Sequence, residues 1–188
     1  MKRLCFDTES NYFKSDLSVG SIQYHRECME NWLARGNRIR FDCAVIYDEQ
    51  TERHYEFRGN QADDLVEMLA GADELISHSG QRHDLVILEH VSGTDRIAPL
   101  WRITHHDLFD IFNWSSLDDL ANKLISEHRL RDFKAARDRH VEKAGERFPE
   151  ERRNFRPPDY FVECRLAKAR FDVDRTYAVF RAYLETQK

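Results

Sequence analysis

The chain has 188 residues, of which 41% are hydrophobic and 34% charged, and its formal net charge is −5 at pH 7. That length suits a single domain spanning residues 1–188, and no apolar run approaches the roughly 18 residues that a membrane span needs, which argues against a membrane partner. The negative balance gives no global attraction to nucleic acid, although a local basic patch can offset an acidic site. Cys5, Cys28, Cys43 and Cys164 have neither zinc-ligand spacing nor disulfide density, and the acids at 7 and 9 interrupt the first apolar run too early for a signal peptide. A cytoplasmic protein with reduced thiols is the expectation.

The first apolar run, Leu4-Cys5-Phe6, ends in Asp7-Thr8-Glu9-Ser10. In a strand alternate side chains share a face, so Asp7 and Glu9 point the same way while Phe6 and Thr8 point the other. Two hard oxygen donors on one rigid edge suit Mg²⁺ or Mn²⁺ better than zinc. A strand running into a solvated turn is the alternative for this stretch taken alone.

Residues 11–40 are polar and locally basic, with Arg26, Arg35, Arg38 and Arg40, and the spacing predicts a helix from Gln23 to Arg35 presenting Tyr24, Cys28, Trp32 and Met29 on one face. Ile39–Tyr47 and Arg53–Phe57, split by a short polar turn, read as a hairpin. A helix follows over Gln61–Ala70, with Asn60 as cap and Gly71 as stop, and then a short buried strand, Glu74–Ser77. Ser77-His78-Ser79-Gly80-Gln81-Arg82-His83 forms a polar turn that places Asp84 in the first turn of an apolar helix, at the carboxyl end of the sheet, where ligand sites gather in α/β folds. Taken alone, Asp84 also reads as a helix-start acid favoured by the macrodipole.

Leu100–Thr104 reads as a further strand leading through His105-His106 into helix, and Ser115 or Ser116 caps the next helical run. Adjacent histidines do not share a face, which speaks against a zinc site. Residues 127–153 are dense in both charge signs and read as a solvated helical surface. After Pro157-Pro158 comes a long helix whose stripe is Val162, Leu166, Ala169, Val173, Thr176 or Tyr177, Phe180 and Leu184, with Asp172 at its margin and Lys168 one turn earlier.

Asp7-x-Glu9, Asp84 after His78-Ser79-Gly80, and Asp172 in Phe171-Asp172-Val173-Asp174 stand in the order D, E, D, D over most of the chain. This arrangement resembles the DEDD family of 3′–5′ exonucleases in the ribonuclease H-like superfamily. The resemblance implies an α/β ribonuclease H-like fold, a mixed, roughly five-stranded sheet flanked by helices, with an insertion at about 11–40. It implies a metal-dependent 3′–5′ exonuclease that hydrolyses phosphodiester bonds of DNA or RNA. Asp7, Glu9, Asp84 and Asp172 would hold two ions, Mg²⁺ or Mn²⁺, which at about 3.5–4 Å apart activate water and stabilise the leaving 3′-oxygen. Thr8, His78, Ser79 and His83 are the implied substrate contacts, to nucleic acid with a 3′ end. The chain departs from the family at Lys168 and Ala167, where members carry a Tyr four residues or a His five residues before the last Asp, and at Ser79, often Asn in related sequences. Lys168 either holds the water or the phosphate as a cation, or acts as a base after a fall in pKa, or simply pairs with Asp172. The alternative reading is a catalytically degenerate module of the same fold that binds nucleic acid or a protein partner.

Overall fold

The first strand, β1 (Arg3–Ser10), is central to the sheet because both of its edges are paired. In the computed structural model, which describes residues 1–11, 21–148 and 158–188, the chain continues through α1 (Ile22–Ala34), β2 (Phe41–Asp48), β3 (Arg53–Arg58), α2 (Ala62–Ala70), β4 (Glu74–Ser77) and α3 (Asp84–Ser92). It then runs through α4 (Thr94–Ile97), β5 (Thr104–Asp107), α5 (Leu108–Ile111), α6 (Leu117–Leu124), α7 (Glu127–Arg147) and α8 (Pro158–Thr186). The strand order is β3-β2-β1-β4-β5; β2 runs antiparallel to β1 and β3, whereas β1, β4 and β5 are parallel. The protein is thus α/β with a five-stranded mixed sheet flanked by helices. None of its described helices is long and apolar enough to cross a membrane.

Period-two alternation in β1 decides what lies on each side. Leu4 and Phe6 enter one core with Leu65 and Leu69 of α2 and Leu85 and Leu88 of α3. Cys5 enters the other, with Leu166, Ala169, Val173 and Phe180 of α8 and Leu120 of α6. Each fully buried aliphatic or aromatic side chain contributes about 1.5–3 kcal/mol, so these two layers fix the register of β1, and a one-residue slip would exchange them. Asp7 and Glu9 therefore emerge on the α8 side and Thr8 on the α3 side. Helix α7 packs along α8, as the pairing of His140 and Arg147 near its end with Glu163 near the start of α8 shows, so the two run antiparallel.

Several local expectations shift. The apolar run Leu100–Thr104 does not form a strand; Leu100–Arg102 is a single 3₁₀ turn, and β5 begins at Thr104, which places His105 and His106 within it. Leu100 is buried against the α2–α3 core, so the run is apolar because it covers the sheet and not because it lies in it. In α1 Met29 and Trp32 pack where expected, but the other buried residue is His25, not Tyr24 or Cys28. Asn60 is not the cap of α2; Gln61 occupies that position and makes no side-chain capping bond. The expected insertion at 11–40 falls partly on residues 12–20, and the end of the charged stretch on residues 149–153, outside the described residues.

Candidate metal centre

Strand β1 carries Asp7 and Glu9 past the point where its parallel neighbours end, because β1 pairs with β4 only over Arg3–Cys5. Helix α8 crosses the same side of the sheet and brings Asp172 and Lys168 against them. Val173, the neighbour of Asp172, is fully buried, and its carbonyl receives the Cys5 thiol at 3.6 Å. Asp172 is thereby fixed one residue from a packed position. Asp7, Glu9 and Asp172 each offer an oxygen, and these atoms all lie within 4.8 Å of one another.

Asp84 stands outside that close group, on the opposite face of β1. Its Oδ1 accepts the Thr8 hydroxyl at 2.7 Å and lies 3.2 Å from His83 Nδ1. It nonetheless lines the same cavity, about 390 Å³ in volume, together with Asp7, Thr8, Glu9, His78, Ser79, His83 and Lys168. Asp172 lines an adjoining cavity of about 460 Å³ that shares Asp7, His78 and Lys168. All nine residues singled out from the sequence therefore border one connected region at the carboxyl edge of β1.

The electrostatics are those of crowded acids. Burial, and then the charges of Asp84, Asp172 and Glu9, push the Asp7 carboxyl well above the usual range, with Lys168 opposing them. Asp7 Oδ2 is buried without a hydrogen-bond partner. Burial likewise raises Glu9, against the pull of Lys168. The Lys168 ammonium donates to Glu9 Oε1 and lies 3.2 Å from Asp172 Oδ2. Burial alone would lower the lysine, but Asp7, Asp172 and Glu9 together hold it above its ordinary value. These acids favour the charged form of Lys168, the opposite of the fall in pKa that a base would need. Arg175, unmarked by any sequence pattern we used, donates to Asp172 at 2.5 Å and also to Asp118. Its i, i+3 spacing from Asp172 was the available signal.

The donor set fits a hard divalent cation. Three carboxylates converge, one of their oxygens is buried and unpartnered, and the ionisation penalty carried by Asp7 is of the kind that a bound cation relieves.

The second strand edge is held by Asp107 at the end of β5, which sequence reasoning passed over. Its carboxylate accepts Ser79 N at 2.7 Å, Gln81 N at 3.1 Å and Phe109 N at 3.1 Å. Ser79 has φ +66°, a left-handed conformation that Asn adopts more readily than Ser. A Cβ on Gly80 would overlap the Ser77 side chain, whose Oγ accepts the Gly80 N–H at 3.1 Å. The loop from Ser77 to Asp84 is therefore pinned from β5 and has no room for a side chain at its tightest point. Across the cavity Trp114, at φ +68° and 52% exposed, stacks on Phe109 with ring centroids 6.4 Å apart. A bulky residue in the left-handed region is strained, and such strain gathers at functional sites.

No model of a known protein family matches this sequence, and a search of curated proteins finds none that resembles it.

Proposed function

We propose that the protein is a metal-dependent 3′–5′ exonuclease that hydrolyses phosphodiester bonds of DNA or RNA, with the fold of the ribonuclease H-like superfamily. The observation that carries this reading is the convergence of Asp7, Glu9 and Asp172 within 4.8 Å, beside a cavity bordered by Asp84. Asp7, Glu9 and Asp172, with Asp84 across β1, would hold Mg²⁺ or Mn²⁺. Two such ions, when bound, supply an activated water and charge stabilisation at phosphorus and the leaving oxygen.

The side chains divide the remaining work. Thr8 and His83 orient Asp84 from two directions. Lys168, a cation at Glu9 and Asp172, stands where a scissile phosphate would bring its negative charge, and can hold it as a point charge. The cavity of about 390 Å³ has the size of a small-ligand site, and it takes the terminal nucleoside between the His78–His83 loop and the exposed face of Trp114. Aromatic faces stack bases without regard to sequence.

A second reading, a degenerate module that binds without turnover, is favoured by one feature. The Lys168 ammonium already neutralises two of the carboxylates. The two are separated with a single strand labelled at its 5′ end and incubated with Mn²⁺. The exonuclease reading expects products shortened one nucleotide at a time from the 3′ end, abolished by chelator and by Asp7→Ala, with the variant folded. A wild type that binds the strand and leaves it intact, or an Asp7→Ala variant of full activity, rejects it.

A further inference from the structure

Away from the acidic centre, the surface between α7 and α8 has the opposite sign. A cavity of about 340 Å³ opens between these helices and is bordered by Arg139, Lys143, Arg147 and Arg170. It adjoins a wider groove of about 1080 Å³, with which it shares Arg147 and Glu163, and this groove adds Arg58 and Arg165 and ends at Lys168. Over both, eight basic side chains face three acidic ones, in a protein whose net charge is −5. Two of the three acids are already committed. Asp42 is bound by Arg40 and Arg165, and Glu163 by Arg58, His140 and Arg147. Arg139 and Lys143 are exposed and have no carboxylate partner among the described residues.

We propose that this groove binds the sugar-phosphate backbone of a single nucleic-acid strand, on the side of Lys168 away from the cavity that takes the terminal nucleoside. The assignment rests on the exonuclease reading only for the direction in which the strand runs. Three observations select a single strand over another polyanion. Arg139, Lys143 and Arg147 succeed one another at four-residue spacing along one face of α7, a row about 12 Å long, as repeating phosphates require. Phe161, 55% exposed, lies on the groove wall and offers a stacking face that an acidic peptide does not need. The groove also meets the carboxylate centre at Lys168, which lines both. Charge of one sign along a groove attracts the strand, and a local concentration of it overcomes an unfavourable net charge.

The test measures binding of a fluorescein-labelled 12-nucleotide oligo(dT) by anisotropy, in chelator, over a range of salt. The wild type binds, and the triple variant Arg139→Ala, Lys143→Ala, Arg147→Ala binds at least about 30-fold more weakly. The slope of log K against log salt becomes shallower by about 2, since each phosphate contact on a single strand contributes about 0.7. Alanine is the best helix former, so α7 persists, which circular dichroism and unfolding temperature check. A control, Arg131→Ala with Lys134→Ala on the same helix outside the groove, keeps wild-type affinity. The proposal is overturned if the wild type does not bind, if the triple variant binds like the wild type, if the control loses as much, or if a 12-base-pair duplex or polyglutamate competes as well as the single strand. The two readings fail separately. Wild type that binds the strand but never shortens it in Mn²⁺ rejects the exonuclease and keeps the groove, whereas a triple variant that degrades the 12-mer with unchanged KM rejects the groove and keeps the exonuclease.

Discussion

Lys168 departs from the expected pattern and stands where the chemistry is most sensitive to charge. Asp7, Asp172 and Glu9 favour its charged form, so the contribution we expect of it is electrostatic. Lys168→Met keeps the stem and deletes the charge. We expect kcat to fall by about 10²–10³-fold, the range for losing one preorganised charge or donor at a developing negative charge, while Mn²⁺ affinity rises because a competing cation is gone. Unchanged or higher kcat in steady-state assays would assign the lysine a purely structural place. His105 offers a test that does not depend on activity. Burial, and then the neighbouring His106, lower it to about 3. Between about 6.5 and 3 the unfolded chain takes up a proton that the folded one refuses, so its share of stability is complete above the higher value and is lost as pH falls. The slope is about 1.4 kcal/mol per pH unit for one such group. Urea unfolding at several pH values should show a shallower acid loss for His105→Phe than for wild type; parallel curves would mean that His105 is not held neutral.

At the scale of elements, legibility followed the strength of the local signal. Asp7 and Glu9 were readable because acids that end an apolar strand have few places to point, and Asp172 because it interrupts the margin of a long apolar stripe. Their closeness was not readable, since it depends on how α8 crosses β1, which no local pattern encodes. The face of α1 was legible at Met29 and Trp32 but not at His25, because a polar imidazole that is buried beside the more apolar Tyr24 carries no hydrophobic signal of its own. The run at Leu100–Thr104 misled because burial of a 3₁₀ turn and burial of a strand leave the same apolar signature. Asp107 escaped notice because a carboxylate that accepts backbone N–H groups from a distant loop has no sequence periodicity at all. Its role is testable. Asp107→Ala strands the N–H groups of Ser79, Gln81 and Phe109 and should lower stability by about 3 kcal/mol. Asp107→Asn, which keeps an acceptor oxygen, should lose about 1 kcal/mol. Chemical denaturation measures both, and equal stability of the Ala variant would show that β5 does not pin the loop.

For the whole molecule, the architecture explains why unlike charges can be kept apart. The parallel strands β4 and β5 end level with each other while β1 runs on past them, and their shared carboxyl edge collects Asp7, Glu9, the His78–Asp84 loop and Asp107. The antiparallel side and the α7–α8 pair carry the basic groove, and the two regions meet at Lys168. The central claim is that the acids gather to bind divalent metal beside a nucleic-acid end. The most direct measurement is a crystal structure soaked with Mn²⁺ and a short single strand, with the metal located by anomalous scattering. The account predicts Mn²⁺ bound by Asp7, Glu9 and Asp172, with the Lys168 amine moved from those carboxylates onto a phosphate of the strand. Mn²⁺ absent from the cluster, with Lys168 still bridging Glu9 and Asp172 in the presence of the strand, would contradict it.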